Sequence, residues 1–311
     1  MNFSTPQEDY VYPGHQACPG CNAALAVRFI LQVLGRNTVA VISACCWTNI
    51  GGAYPNTSLK VSSLHSLFAA SAAMATGVRL GLKRQGKGET NVLVIAGDGG
   101  TFDIGLQSLS GAVERNEDFL YVCYDNEGYM NTGNQRSSAT PWGAATTTTA
   151  AGNLEASIKK NILEIMAAHR IPYAATACAA FPDDLKSKVE KASRIKGSKF
   201  LHILSPCPVG WGYPTEYMVK MGRLAVDSKV FPLYEVYDGF QYNITLEPKG
   251  NPVREYLKLQ NRFRYLNDDE VEWIQKNVDK EWGILTERAK IRKYIKDQDI
   301  NDSVEGKYKG I

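Results

Sequence analysis

The sequence predicts a doubly wound α/β fold with a mostly parallel sheet. Three observations point there. Short apolar runs rich in Val and Ile recur through the first two thirds of the 311-residue chain, as expected of strands buried on both faces. Stretches of helical periodicity separate them. The spacing matches strand–helix–strand units, which build a parallel sheet covered by helices on both sides.

The elements run in order along the chain. AALAVRFILQVLG (23–35) has an amphipathic stripe and a Gly stop, so it predicts the first helix. TVAVISA (38–44) predicts the first strand. LHSLFAASAAMATGVRLGL (64–82) predicts a helix whose small residues allow close packing. NVLVIAG (91–97) and FLYVCYD (119–125) are strands, with the helix FDIGLQSLSGAVER (102–115) between them. Then come a helix over 153–170, a weak strand YAATACA (173–179), a helix over 182–196 and a strand KFLHILS (199–205). Beyond about residue 215 the alternation decays into charged, helix-like patches. Residues 1–215 are therefore expected to form the binding domain, and 216–311 a helical or irregular extension packing on partner subunits.

Composition excludes some functions. A net charge of +3 is too small to argue for nucleic acid or an anionic membrane. The polar, acid-bearing start MNFSTPQEDYVYPGH does not read as a signal peptide, and no run approaches a membrane span. The expected location is the cytoplasm, where thiols stay reduced. There a Cys-x-x-Cys pair, as in GHQACPGC (14–21), points to a metal or redox site, and seven cysteines leave no complete disulfide framework.

The chemistry lies just past the strand ends. Cys45 and Cys46 come after the first strand, Gly97-Asp98-Gly99-Gly100 after the strand at 91–96, Asp125-Asn126-Glu127-Gly128 after the strand at 119–124, and Ser205-Pro206-Cys207-Pro208 after the strand at 199–204. In a parallel sheet all four emerge on one edge, where such folds bind ligands. Glycines around Asp98 let backbone N–H groups approach an anion, and a helix after them favours phosphate. A carboxylate and an amide oxygen on neighbouring strand ends suit Mg²⁺ shared with a diphosphate. A lone Gly-Asp-Gly is weak. Joined by Asn126, 28 residues after Asp98, it is much stronger. The plain alternative for Asn126 and Asn131 is turn capping.

GDGG (97–100) with DNEGYMNTGNQRSSATPWGA (125–144) resembles the thiamine-diphosphate fingerprint. With ACPGC (17–21) the chain resembles the β subunit of a 2-oxoacid:ferredoxin oxidoreductase of the pyruvate synthase type, over roughly residues 14–215. That resemblance implies a thiamine-diphosphate-binding fold. It implies Asp98, Asn126 and the Gly128 carbonyl as Mg²⁺ ligands, Gly97, Gly99 and Gly100 against the diphosphate, and Asn131 close to the thiazolium and substrate. It implies one 4Fe–4S cluster on Cys18, Cys21, Cys46 and Cys207, with Cys46 also beside the thiamine. The implied reaction is oxidative decarboxylation of a 2-oxo acid, pyruvate first, with coenzyme A taking the acyl group and ferredoxin the electrons. Partner subunits of α and γ/δ type are implied, the α subunit supplying the glutamate that activates thiamine.

Rival readings are a structural zinc site on the same thiols and a non-redox thiamine-dependent decarboxylase. Neither uses both the oxygen and the thiol set. Cys45, beside Cys46, is a rival ligand; the 25-residue spacing from Cys21 favours Cys46. Cys123 and Cys178 sit inside strand patterns as buried thiols. His15 lies near the Cys pair; His65, His169 and His202 carry no assigned role, and Trp47 and Trp142 either wall the site or simply pack. Relatives often read Cys-x-x-Cys-Gly-Glu, carry Glu-Asn near 69–70, and have TGC before the third ligand. Here Asn22-Ala23, Ala69-Ala70 and ACC (44–46) stand instead. These departures cluster round the cofactor and make oxalate, cleaved to CO₂ without coenzyme A, the alternative substrate.

Overall fold

The computed structural model describes residues 8–149 and 155–296. Its elements are α1 (Asn22–Leu34), β1 (Thr38–Ile42), α2 (Cys46–Gly51), β2 (Ser62–His65), α3 (Ser71–Arg84), β3 (Asn91–Gly97), α4 (Leu106–Glu114) and β4 (Leu120–Asp125). They continue with α5 (Ile162–Ala168), β5 (Tyr173–Cys178), α6 (Pro182–Arg194), β6 (Lys199–Leu204), α7 (Pro208–Trp211), α8 (Met218–Asp227), β7 (Leu233–Tyr237), β8 (Gln241–Leu246), α9 (Val253–Leu257) and α10 (Asp268–Lys296). The strands form one eight-stranded sheet in the order β2-β1-β3-β4-β6-β5-β7-β8, parallel from β2 through β5 and antiparallel at β7 and β8.

Alternation along the strands sends side chains to two cores. Leu93, Ile95, Val122 and Leu201 pack with Val27 and Ile30 of α1 and Leu185 and Val189 of α6. Val92, Val94, Tyr121 and Phe200 face the other way, toward Ala72 of α3, Leu109 of α4 and Met166 of α5. Both faces of the central strands are covered, which is why they read as continuous apolar runs.

Three expectations need correcting. The helix expected from 64 begins at Ser71, because residues 62–65 pair with β1 as the edge strand β2. The segment expected to open a helix at 102 starts earlier, as a wide π-type turn over Gly99–Asp103 ahead of α4. The helix expected over 153–170 begins at Ile162, capped by the Asn161 side chain; residues 153 and 154 lie outside the described residues. Residues 155–160 are instead committed to the strand-end loops. Glu155 pairs with Arg136, and the Lys160 amide donates to the Ser138 carbonyl.

Residues 233–246 add a β-hairpin in a stretch that reads locally as charged extension. The buried carboxylate of Glu235 breaks its apolar pattern. That carboxylate is satisfied by Tyr173, Lys191 and Asn243 at 2.8, 2.7 and 2.9 Å. The turn holds Asp238 and Gly239 at positive φ, the chemistry that hairpin turns favour. Helix α10 returns along β8, burying Leu285 in the second core. Among the described residues no helix is long and apolar enough to cross a membrane.

Candidate functional site

Parallel registry sets the strand ends side by side: Ile42 opposite Ile95, Gly97 opposite Tyr124, Asp125 opposite Leu204. The order reverses between β1 and β3, since the chain passes from β1 to its neighbour on one side and then to its neighbour on the other. That reversal is where doubly wound sheets bind ligands. A cavity of about 210 Å³ opens there, walled by Cys45, Cys46, the Gly97–Gly100 turn, Asn126, Gly128 and Asn131, among others. Gly99 is needed for close approach, because a Cβ on it would lie 2.3 Å from the Tyr129 ring. That ring meets Phe68 edge-on, and its hydroxyl donates to Asp103 at 2.9 Å.

Asp98 is buried, and one of its carboxylate oxygens accepts from Ser137 Oγ. The Asn126 side-chain oxygen points at the other, Oδ1, at 2.9 Å and at the Gly128 carbonyl at 3.0 Å. Turning the amide round would let its NH₂ donate to both. With the oxygen inward, three oxygens meet, which calls for a cation or a proton. The 2.9 and 3.0 Å spacings are those of hydrogen bonds from the turned amide, and equally those of ligands along one edge of an octahedral Mg²⁺ with bonds of about 2.0–2.1 Å. Burial, then the nearby charge of Asp125, pushes the Asp98 carboxyl well above the usual carboxylate range. A bound cation would oppose that shift.

A buried ionic group sits directly beneath. Asp125 meets His202 Nε2 at 2.7 Å and Lys159 Nζ at 2.6 Å. Burial alone would raise its carboxyl, but these partners outweigh burial and hold it down to about 2. Lys159 also meets Glu127 at 2.7 Å, and Glu127 meets Arg262 at 2.6 Å. Glu127 and Ser137 lie inside the 125–144 stretch without a role of their own, and Lys159, His202 and Arg262 do not stand out as site residues in the sequence. Their partners lie tens of residues away, and the only local hint is charge at otherwise apolar positions.

On the same edge the thiols gather. Cys18 and Cys21 flank a turn in which the Cys21 amide donates to the Cys18 carbonyl at 3.0 Å. Gly20 in that turn has φ +73, and a Cβ there would meet the Thr215 carbonyl at 2.6 Å. Cys46 opens α2. Cys207 caps α7, its sulfur accepting from the Gly210 amide at 3.4 Å. Burial raises the Cys46 thiol to about 12, helped by repulsion from Cys45, Cys207 and Cys21. Burial raises Cys207 to about 11, helped by Cys21 and Cys18. The four thiols are thus neighbours. Cys45 walls the same cavity, its sulfur donating to the Ser43 carbonyl at 2.9 Å. Among the described residues no three thiols, imidazoles or carboxylates converge on a point that would hold one ion.

Asn131 borders the cavity, and its side-chain oxygen accepts from Asn49 Nδ2 at 2.9 Å. Asn49 lies on α2, three residues after Cys46, and carries no signal of its own in the sequence. Trp47 is wholly buried, its Nε1 donating to the Ala23 carbonyl, Trp142 packs tilted against Trp273, and neither borders the cavity. Cys123 and Cys178 are buried, as expected of core thiols.

Residues 43–203 match the thiamine pyrophosphate enzyme family, C-terminal TPP-binding domain. The chain is 48% identical to the pyruvate synthase subunit PorB of Methanocaldococcus jannaschii, over 90% of this chain and 97% of that one. It is 47% identical to the ketoisovalerate oxidoreductase subunit VorB of Pyrococcus horikoshii, over 93% and 96%. In fold it is similar to a 2-oxoglutarate:ferredoxin oxidoreductase from Magnetococcus marinus, with a TM-score of 0.57, 24% identity, and 67% and 69% of the two chains covered.

Proposed function

The chain belongs to the β-subunit family of the thiamine-pyrophosphate-dependent 2-oxoacid:ferredoxin oxidoreductases, and we propose that it carries both the thiamine site and the first electron acceptor of a pyruvate-oxidising member. One observation carries the reading: Asp98, Asn126 and Gly128 meet at the switch point of the sheet in a cavity that Cys46 also walls, and Cys46 lies near Cys21 and Cys207. A non-redox thiamine enzyme has no use for the thiols. A zinc-stabilised subunit has none for the oxygens.

In this reading Asp98, Asn126 and the Gly128 carbonyl hold Mg²⁺, and Gly97, Gly99 and Gly100 admit the diphosphate. Cys18, Cys21, Cys46 and Cys207 hold one 4Fe–4S cluster. Bound thiamine diphosphate supplies the electron sink for loss of CO₂ from the 2-oxo acid, and the cluster supplies a one-electron acceptor beside it. The protein's own residues set the conditions. Ser137 orients the Asp98 carboxylate, Asn49 orients Asn131 at the mouth of the cavity, and Tyr129 and Phe68 close its side against water. Coenzyme A takes the acyl group, and ferredoxin and the other subunits complete the route for electrons.

Purified anaerobically with its partner subunits, the protein should be brown and should bleach on addition of pyruvate with coenzyme A. Bleaching by 2-oxoisovalerate with coenzyme A instead would shift the substrate to branched acids. Bleaching by oxalate alone would support the alternative raised by Asn22, Ala69 and Ala70. A colourless, zinc-containing preparation would remove the electron-transfer half of the reading.

A further inference from the structure

We propose that Arg262 is a positioning residue for the cation loop, although it is 135 residues from that loop in sequence and does not border the cavity. The inference rests on the reading of Asp98, Asn126 and Gly128 as cation ligands.

Glu127 stands between two of those ligands with φ +64, a left-handed conformation that side-chain-bearing residues avoid. The inversion is what turns the Gly128 carbonyl toward the Asn126 side chain. It has to be held. Backbone bonds contribute: the Glu127 amide donates to Asp125 Oδ1 and its carbonyl accepts from Thr140 Oγ1, both at 2.9 Å. The Glu127 carboxylate is gripped by Lys159 on one side and Arg262 on the other. Arg262 then acts a second time. Its guanidinium lies 3.9 Å from the centre of the Trp211 ring, and Trp211 Nε1 donates to the Asn126 carbonyl at 2.8 Å. One side chain therefore braces the loop on both sides of the inverted peptide.

Arg262 is itself immobilised. It is buried, its Nε donates to Gln260 Oε1 at 2.9 Å, and its carbonyl accepts from the Ala145 amide at 2.8 Å. A planar fork that stacks on a ring while pairing with a carboxylate is a task for arginine that lysine performs poorly. The C-terminal segment thus reaches back to shape a site built from β3 and β4.

The test uses the assembled complex, stripped with EDTA and titrated with Mg²⁺ at saturating thiamine diphosphate, with retained thiamine diphosphate as the readout. Arg262→Met should raise the half-saturating Mg²⁺ concentration at least tenfold, and Arg262→Lys at least threefold. A merely structural role would lower the melting temperature of the stripped complex and leave half-saturation at the wild-type value; that result overturns the proposal. If the methionine variant fails to assemble, the lysine variant decides by the same criterion. Asp98→Asn is the control for the underlying reading. Wild-type half-saturation in Asp98→Asn would remove the cation assignment itself, whatever the Arg262 variants do.

Discussion

Replacing Asn49 with alanine tests how the cleft and the thiol segment are joined. Asn49 Nδ2 donates to Asn131 Oδ1 at 2.9 Å and has no other hydrogen-bond partner among the described residues. With its oxygen engaged, Asn131 keeps its N–H groups as the free donors at the cavity wall. A neutral hydrogen bond contributes about 0.5–1.5 kcal/mol net, and about 1.4 kcal/mol is tenfold in rate, so Asn49→Ala should lower kcat/KM about 2- to 12-fold. Asn131→Ala removes the donor itself. If that donor faces developing charge, the loss should reach about 10²–10³-fold. Because Asn49 acts through Asn131, the double variant should be no slower than Asn131→Ala alone. The assay is the initial rate of pyruvate- and coenzyme A-dependent reduction of a viologen dye by the complex, without oxygen. Iron content should stay at the wild-type level, since Asn49 touches no thiol. Wild-type kcat/KM in Asn49→Ala, or a double variant whose losses multiply, would refute the coupling.

Two further outcomes are expected. Cys46→Ser should lower bound iron and abolish dye reduction while thiamine diphosphate is retained. Cys45→Ser should keep its iron, and equal iron loss in both variants would undo the choice between the two cysteines. The other outcome concerns pH and stability. Burial pushes the Glu235 carboxyl up, but Lys191, Tyr173 and Asn243 outweigh it and hold its folded value below 4.5. The unfolded chain therefore takes up the proton first. The stabilisation is present above 4.5 and is lost as pH falls through the lowered folded value. Glu235→Gln should melt lower at pH 7, by about 1–3 kcal/mol of lost charge-assisted bonding, and should lose less stability than wild type on acidification. Parallel pH–melting curves for the two would argue against the assignment.

The parallel sheet was legible because strands buried on both faces have no polar side to disguise them. Asp98, Asn126 and Cys46 were legible for a related reason: polar residues directly after such strands must emerge on one edge. The residues that stayed hidden are held by long-range partners. Glu235 looks unsuited to a buried strand until Tyr173, Lys191 and Asn243 are seen to satisfy it. Residues 155–160 have helical periodicity, yet Lys159 serves the ionic group under Asp125 rather than a helix face. Arg262 lies in a stretch that reads as solvated extension, although it is buried against Glu127. In each case a single charged side chain is misleading locally because its energy is set by a partner that local sequence does not contain.

Two short helices tie the oxygen and thiol sets together. Helix α2 starts at Cys46 and carries Asn49, which fixes Asn131. Helix α7 is capped by Cys207 and ends at Trp211, which fixes the Asn126 carbonyl. Each presents a thiol at one end and a contact to the cation loop or its neighbour at the other. Each helix is only four or six residues long, so few residues separate the thiol from the contact at the other end. If the thiols hold the proposed cluster, that short covalent connection answers a chemical need. Thiamine diphosphate bound by the oxygen set would supply electrons, and a cluster held by the thiols would accept them, so α2 and α7 would set how the two sites stand to each other. A loop would hold either site as well by itself, but it would not hold the distance between them.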